Sequence, residues 1–190
     1  MTLRQVKAAV LLIGDELLSG RTQDINLRAI AKFLAPLGVQ VAEALGGSAD
    51  DKAVAAAVTD RRALYAYVSP TGGTAPPQDK KPADAIAAAF GVHIGVRDDA
   101  RAILEAHYKD RASLNESRLR MARIPDGASL IANPVSKAPG FQIGNVFVMA
   151  GGPPTRRGKT YDLGHPGAGA AGFWGSAKPP PNRISKRICG

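Results

Sequence analysis

The residues best suited to chemistry lie in Val10-Leu11-Leu12-Ile13-Gly14-Asp15-Glu16-Leu17-Leu18-Ser19-Gly20-Arg21-Thr22-Gln23-Asp24-Ile25-Asn26. A continuous apolar run, Ala8 to Ile13, stops at Gly14, and two carboxylates follow at once. In an open α/β sheet, ligands sit beyond the carboxyl ends of the parallel strands. Asp15 and Glu16 would therefore stand at the rim of a crevice. A competing reading gives this polar stretch a structural task, with Thr22 or Asp24 capping the next helix. A second candidate is Ser69-Pro70-Thr71-Gly72-Gly73-Thr74-Ala75-Pro76-Pro77-Gln78-Asp79. A Gly-Gly pair between strand and helix lets backbone N–H groups approach an anion, and the helix that follows adds its positive dipole end. The stretch has neither a dinucleotide fingerprint nor a P-loop lysine, and a plain strand-to-helix turn would read the same way. His93 and His107 have no carboxylate or second histidine at ligand spacing and read as surface or packed histidines.

These residues need a frame to hold them. The run from Ala8 to Ile13 has the character of a strand buried on both faces. Leu27, Ile30, Ala31, Leu34 and Leu37 recur at helical spacing from Asn26, and Gly38 closes that helix. Val39 to Leu45 predicts a second strand, Asp50 or Asp51 caps a helix through Ala53, Val54, Ala57 and Val58, and Leu64 to Val68 predicts a third strand. This alternation implies a parallel sheet with right-handed crossovers.

Farther along, a helix is expected from about Ala83 to Phe90, a short strand over Val92 to Val96, and a helix begun by Asp98 or Asp99. Ser113 and Glu116 form a capping box for a helix to about Arg123, with Arg118, Arg120 and Arg123 on a solvated face. Ser129 to Ile131 predicts a strand, and Phe141 to Ile143 with Asn145 to Met149 predict a hairpin closed at Gly144.

At 190 residues, with 45% apolar residues, the chain is long enough to bury a core in one domain. A single cysteine, Cys189, excludes an internal disulfide or a cysteine-based metal cluster and suits the reducing cytoplasm. No stretch reaches 18 apolar residues, so no membrane partner is expected. The net charge of +9 divides into +3 on residues 1–150 and +6 on residues 151–190. Most of the excess thus belongs to a terminal segment with nine glycines and six prolines in forty positions, a linker-like composition. Without a nucleic-acid-binding motif or interleaved aromatic residues, that charge does not point to a nucleic-acid partner.

Gly14 to Asn26 resembles the opening motif of the molybdopterin-binding (MoCF biosynthesis) domain family. The likeness is to the branch that forms the N-terminal half of CinA-type proteins and also occurs alone. Two later blocks agree in order, Asn115-Glu116-Ser117-Arg118-Leu119-Arg120-Met121-Ala122-Arg123-Ile124-Pro125-Asp126-Gly127-Ala128 and Asn133-Pro134-Val135-Ser136-Lys137-Ala138-Pro139-Gly140-Phe141. The resemblance runs from about residue 5 to residue 153, weakest between about 45 and 82. It implies a three-layer α/β/α domain with a mainly parallel sheet over residues 1–153, followed by an atypical basic segment over 154–190.

By the same resemblance, a phosphorylated pterin or nucleotide, molybdopterin or its adenylylated form, would be held by Gly14, Ser19, Asp24, Thr71, Gly72, Gly73, Pro76, Ala138, Pro139, Gly140 and Gly151. An alternative is a metal-dependent pyrophosphatase acting on ADP-ribose or FAD. Asp15, Glu16 and Asp79 would then be catalytic, with Asp15 and Asp79 on a divalent metal such as Mg. The glycine loop departs from the family pattern at Pro70, Ala75, Pro77 and Lys80. Lys80 stands where a second aspartate is usual, and Lys81 follows it, which favours an anion over a metal. A non-catalytic scaffold is the third reading. Relatives of this kind also imply a homo-oligomer.

Overall fold

A computed structural model describes residues 6–21, 24, 26–72, 82–108, 115–132 and 138–148, without the side chains of Glu16 and Ser117. The frame is a six-stranded sheet in the order β2-β1-β3-β8-β7-β6. Strands β1 (Val6–Ile13), β2 (Val39–Gly47) and β3 (Tyr67–Gly72) are parallel, and β8 (Val146–Val148) joins β3 in the same sense. β7 (Gly140–Ile143) and β6 (Ser129–Ile131) complete the sheet antiparallel. A two-stranded ribbon pairs β4 (Ile94–Val96) with β5 (Arg123–Pro125). The sheet is mostly parallel and flanked by helices, as the strand–helix alternation implies.

β1 is central because it has no polar face. Ala8 and Val10 join Ile30, Leu34 and Phe147 on the side of α2 (Asn26–Leu34), while Leu11 and Ile13 join Val54, Val58, Ala85 and Ile86 on the side of α3 (Asp51–Leu64) and α4 (Pro82–Phe90). Burial on both faces is the physical origin of the unbroken apolar run. α2 ends in a tighter turn over Ala35–Leu37, closed by Gly38 at φ 74°, a left-handed conformation that glycine adopts without steric cost. Asp50 caps α3, its carboxylate accepting from the Ala53 N–H at 3.0 Å.

The β1–β2 ladder contains one bulge. Ala8 pairs with Val41 but Ala9 with Glu43, leaving Ala42 over. Val39 and Val41 consequently face α2, whereas Leu45 faces α3 and Glu43 reaches Arg61 on that helix, Nε to Oε2 2.8 Å.

The third strand corrects the sequence reading. Leu64 is the last residue of α3, whose end is closed by the Tyr65 N–H donating to the Arg61 carbonyl, so β3 starts at Tyr67 and extends through the Ser-Pro-Thr-Gly stretch to Gly72. A proline inside a central strand is possible here because of where its nitrogen points. The Val68 N–H donates to Asn145 on the β8 side, and alternation turns the Pro70 nitrogen to that side as well. Among the described residues the register between β3 and β8 is Val68↔Val146, while pairing with β1 continues through Leu11↔Pro70, Leu12↔Thr71 and Ile13↔Gly72.

Two further expectations change. α5 covers Asp98–His107, but α6 covers only Glu116–Leu119 and is capped by Asn115, whose side chain accepts from the Arg118 N–H at 3.0 Å; Ser113 lies outside the described residues. A single tight turn over Arg120–Ala122 then leads directly into β5. Arg123 is therefore a strand residue, joined to Asp84, rather than part of a solvated helix face.

Gly72 has φ 100°, and a Cβ built there would fall inside the Ile13 carbonyl oxygen. Gly72→Ala should lower unfolding stability by about 2–4 kcal/mol, a backbone collision added to a strained φ. Chemical denaturation monitored by circular dichroism checks this; an unchanged midpoint would show that β1 and β3 separate at this end without cost.

Candidate functional site

β1, β2 and β3 end level with one another, Ile13 being in register with Gly47 on one side and Gly72 on the other. The chain leaves β1 for β2 and returns across it to β3, so the strand order reverses between β1 and β3. A reversal of this kind opens a crevice at the carboxyl ends, the usual ligand position in doubly wound sheets. The flanking strand ends fall on the same edge: β8 runs parallel to β3, and the antiparallel β7 begins there, Phe141 opposite Val148.

The opening motif folds as a tight connection at this edge. The Gly14 N–H donates to the Gly47 carbonyl at 3.0 Å, and the Gly14 carbonyl accepts from Leu17 at 3.1 Å, starting the one-turn helix α1 (Asp15–Leu18). Asp15 is exposed, and its Oδ1 accepts from the Ala49 N–H at 3.4 Å, a long bond that tethers the ends of β1 and β2. Ser19 ends α1, its N–H donating to the Asp15 carbonyl at 3.0 Å, and its hydroxyl accepts from Arg21 Nε at 2.9 Å. Asp24 Oδ1 accepts from the Leu27 N–H at 2.8 Å, so this carboxylate caps the start of α2.

Thr71 and Gly72 lie at the end of β3. Gly72 is required by its approach to Ile13, a packing reason rather than a ligand reason. Thr71 is buried, and two residues earlier the Ser69 hydroxyl is buried without a hydrogen-bond partner among the described residues. Ala138, Pro139 and Gly140 form a buried corner at the start of β7, with Gly140 opposite Ile131. The structure thus brings Gly14, Asp15, Ser19, Thr71, Gly72 and the Ala138–Gly140 corner to one edge of the sheet. Gly73, Pro76, Asp79, Lys80, Lys81 and Gly151 lie outside the described residues, as does the side chain of Glu16. Among the described residues no three His, Cys, Asp or Glu side chains cluster closely enough to hold a metal.

Sequence reasoning missed the contribution of β2. Its end, Gly46-Gly47-Ser48-Ala49, borders the crevice, and the signal was a second Gly-Gly pair behind an apolar run. A groove of about 290 Å3 runs from there along α3, lined by Leu11, Ile13, Leu45, Ser48, Val54 and Arg61 among others. That is near the lower limit, about 300 Å3, of small-molecule pockets. At its side Glu43 holds Arg61 and accepts a hydrogen bond from Tyr65. This bond, ahead of burial and the charge of Glu43, raises the Tyr65 pKa, while Arg61 opposes the shift. His93 and His107 are exposed; His93 Nδ1 stands 3.8 Å from Asp126, and His107 packs edge-on to Tyr108.

The fold defines an α/β/α domain of the doubly wound kind with a crevice at the β1/β3 reversal. The chain belongs to the molybdopterin-binding (MoCF biosynthesis) domain family, whose model, described as "Probable molybdopterin binding domain", matches residues 9–162. It is 36% identical over 153 residues to a CinA-like protein of Citrifermentans bemidjiense, covering 78% of this chain and 37% of that protein. A CinA-like protein of Desulfosudis oleivorans is 33% identical over 151 residues, covering 77% and 37%. The chain thus spans a little over a third of the length of these curated relatives. Among solved structures, the CinA protein with unknown function from Thermoplasma acidophilum superposes with a TM-score of 0.67 at 30% identity, covering 77% of this chain and 90% of that one. No helix among the described residues is long and apolar enough to cross a membrane.

Asp24→Ala should cost about 1 kcal/mol of stability by removing the cap of α2. Thermal unfolding with and without ligand checks this, because a capping role lowers the melting temperature equally in both states. A selective loss of ligand stabilisation would instead place Asp24 in the site.

Proposed function

We propose that the crevice at the carboxyl ends of β2, β1 and β3 binds a phosphorylated pterin or nucleotide, molybdopterin or its adenylylated form, in molybdenum cofactor biosynthesis. The observation that carries this reading is the level ending of the three strands at the β1/β3 reversal, in a chain of the molybdopterin-binding family. Polar contacts in this reading come from the Asp15 carboxylate, the Thr71 hydroxyl and the backbone at Gly14 and Gly72. The groove along α3 gives a flat ring system an apolar wall. The Ser69 hydroxyl is buried without a partner among the described residues, which suits a ligand with oxygen or ring-nitrogen acceptors.

The activity proposed is binding; Asp79 and the side chain of Glu16, carboxylates that a metal-dependent activity would use, lie outside the described residues. Self-association and a location in the cytoplasm belong to the same reading; light scattering of the purified chain tests the first.

Thermal-shift titrations with molybdopterin, AMP, ADP-ribose and FAD, each with and without Mg2+, test the ligand. At a hundredfold excess over the dissociation constant, a true ligand stabilises by about 2.7 kcal/mol, a rise of about 5–10 °C for a chain of this size. No response from any of the four refutes the binding reading. Metal-dependent release of AMP from ADP-ribose or FAD replaces it with pyrophosphatase activity. Asp15→Asn should weaken a responding ligand about three- to tenfold through loss of one charged hydrogen bond, and unaltered affinity removes Asp15 from the site.

A further inference from the structure

α3 turns one face toward the edge of the sheet that β2 closes. Ala53, Ala57, Asp60 and Arg61 recur at helical spacing along that face and line the groove of about 290 Å3. Leu11 and Leu45 stand on the sheet side of the same groove. Two alanines one turn apart leave space between helix and sheet, and apolar side chains on both walls suit the faces of a flat ring. The edges of such a ring would meet the two charged side chains, Asp60 and Arg61.

Arg61 is held without being satisfied. Its Nε lies 2.8 Å from Glu43 Oε2, and the two side chains are 22% and 28% exposed. The Nε–H is nevertheless off the line to that oxygen: Nε is buried without a hydrogen-bond partner among the described residues. Glu43 also accepts from the Tyr65 hydroxyl, which steadies the carboxylate. Charge thus fixes the guanidinium and offsets its attraction for an anion, while its planar fork of N–H donors keeps its capacity for neutral acceptors. Buried donors are ordinarily paired, so one left unpaired beside an open groove points to a ligand.

Asp60 is exposed and adds a carboxylate acceptor to the same groove. A donor fork next to an acceptor matches a ring with an acceptor edge next to a donor edge. Guanine has that pattern: O6 and N7 accept, the 2-amino group donates, and arginine pairs with O6 and N7 through two bonds. A 2-amino-4-oxopteridine repeats it with O4 and N5. Adenine sets an amino donor beside N7, so its edge opposes a guanidinium.

We infer that Arg61 and Asp60 are specificity-determining residues for the ring of the ligand, selecting an amino-oxo ring, guanine or pteridine, over adenine. This rests on the phosphorylated-ligand reading above and adds which ring the groove accepts. Glu43 stands four residues before Gly47 in β2, roughly 13 Å at about 3.3 Å per residue. A ring against Arg61 therefore directs its phosphorylated arm toward the crevice, where the groove meets Ile13 and Gly47.

Isothermal titration of the full chain with GMP, neopterin phosphate and AMP, ligands with one phosphate each, tests it. At least one of GMP and neopterin phosphate should bind about tenfold or more tighter than AMP, the worth of one good two-point contact. The tighter of the two names the ring. Arg61→Met should bring that ligand to within about twofold of AMP, with the AMP dissociation constant itself within about twofold of the parent. Asp60→Asn, at an exposed position, should weaken the same ligand about three- to tenfold and leave AMP unchanged.

AMP bound as tightly as both other ligands overturns the inference and leaves the phosphorylated-ligand reading in place. A parallel loss of all three ligands in Arg61→Met marks a structural role and overturns the inference as well. So does an unaltered preference in Asp60→Asn, a variant that decides the question if Arg61→Met fails to fold. A parent chain that binds none of the three overturns the phosphorylated-ligand reading and this inference with it.

Discussion

The approach of Gly72 to the Ile13 carbonyl decides where the crevice can be. Because no side chain stands at Gly72, β3 can remain against β1 to the last residue of each, and both strands stop at one level. The turn after β1 then meets the end of β2 through the bond from Gly14 to Gly47. Three chain segments are thereby fixed within one edge before any ligand contact is considered. A glycine that a motif-based reading assigns to phosphate approach is already required by packing.

The polar residues at this edge divide by the work they already do. Asp24 is committed to a helix cap and Ser19 to Arg21, whereas Asp15 makes one long bond and the Ser69 hydroxyl makes none among the described residues. Groups with strong partners have a cost to leave them, and groups with weak partners or none have more to gain from a ligand. That ordering comes from geometry and separates two aspartates that composition treats alike.

The elements legible in the sequence were those with one dominant local cause. β1 showed as an apolar run because both its faces are covered, α2 by its spacing and Gly38, α3 by Asp50, and the last hairpin by Gly144. Strand β3 was misplaced because Pro70 argues for a loop until the direction of its missing N–H is known, and that depends on which neighbour lies on each side. Strand β5 and the Arg123–Asp84 pair left no local signal, since their partners are distant in sequence. Of the candidate site, the Gly14–Asp15 turn and the Thr71–Gly72 strand end were legible as neighbours of strand ends; the share taken by β2 was hidden behind a strand read two residues too short.

The extra residue in β2 gives the edge strand a property its composition does not suggest. Val39, Val41, Glu43 and Leu45 share one parity and in a regular strand would share one face, yet the bulge at Ala42 sends the first two to α2 and the last two toward α3. The strand thus exchanges its inside and outside halfway along, and both halves stay satisfied only while that residue is present. Length variation, which surface loops absorb easily, is barred at this point: losing one alanine would send Glu43 to the face of α2 and leave Arg61 without its carboxylate.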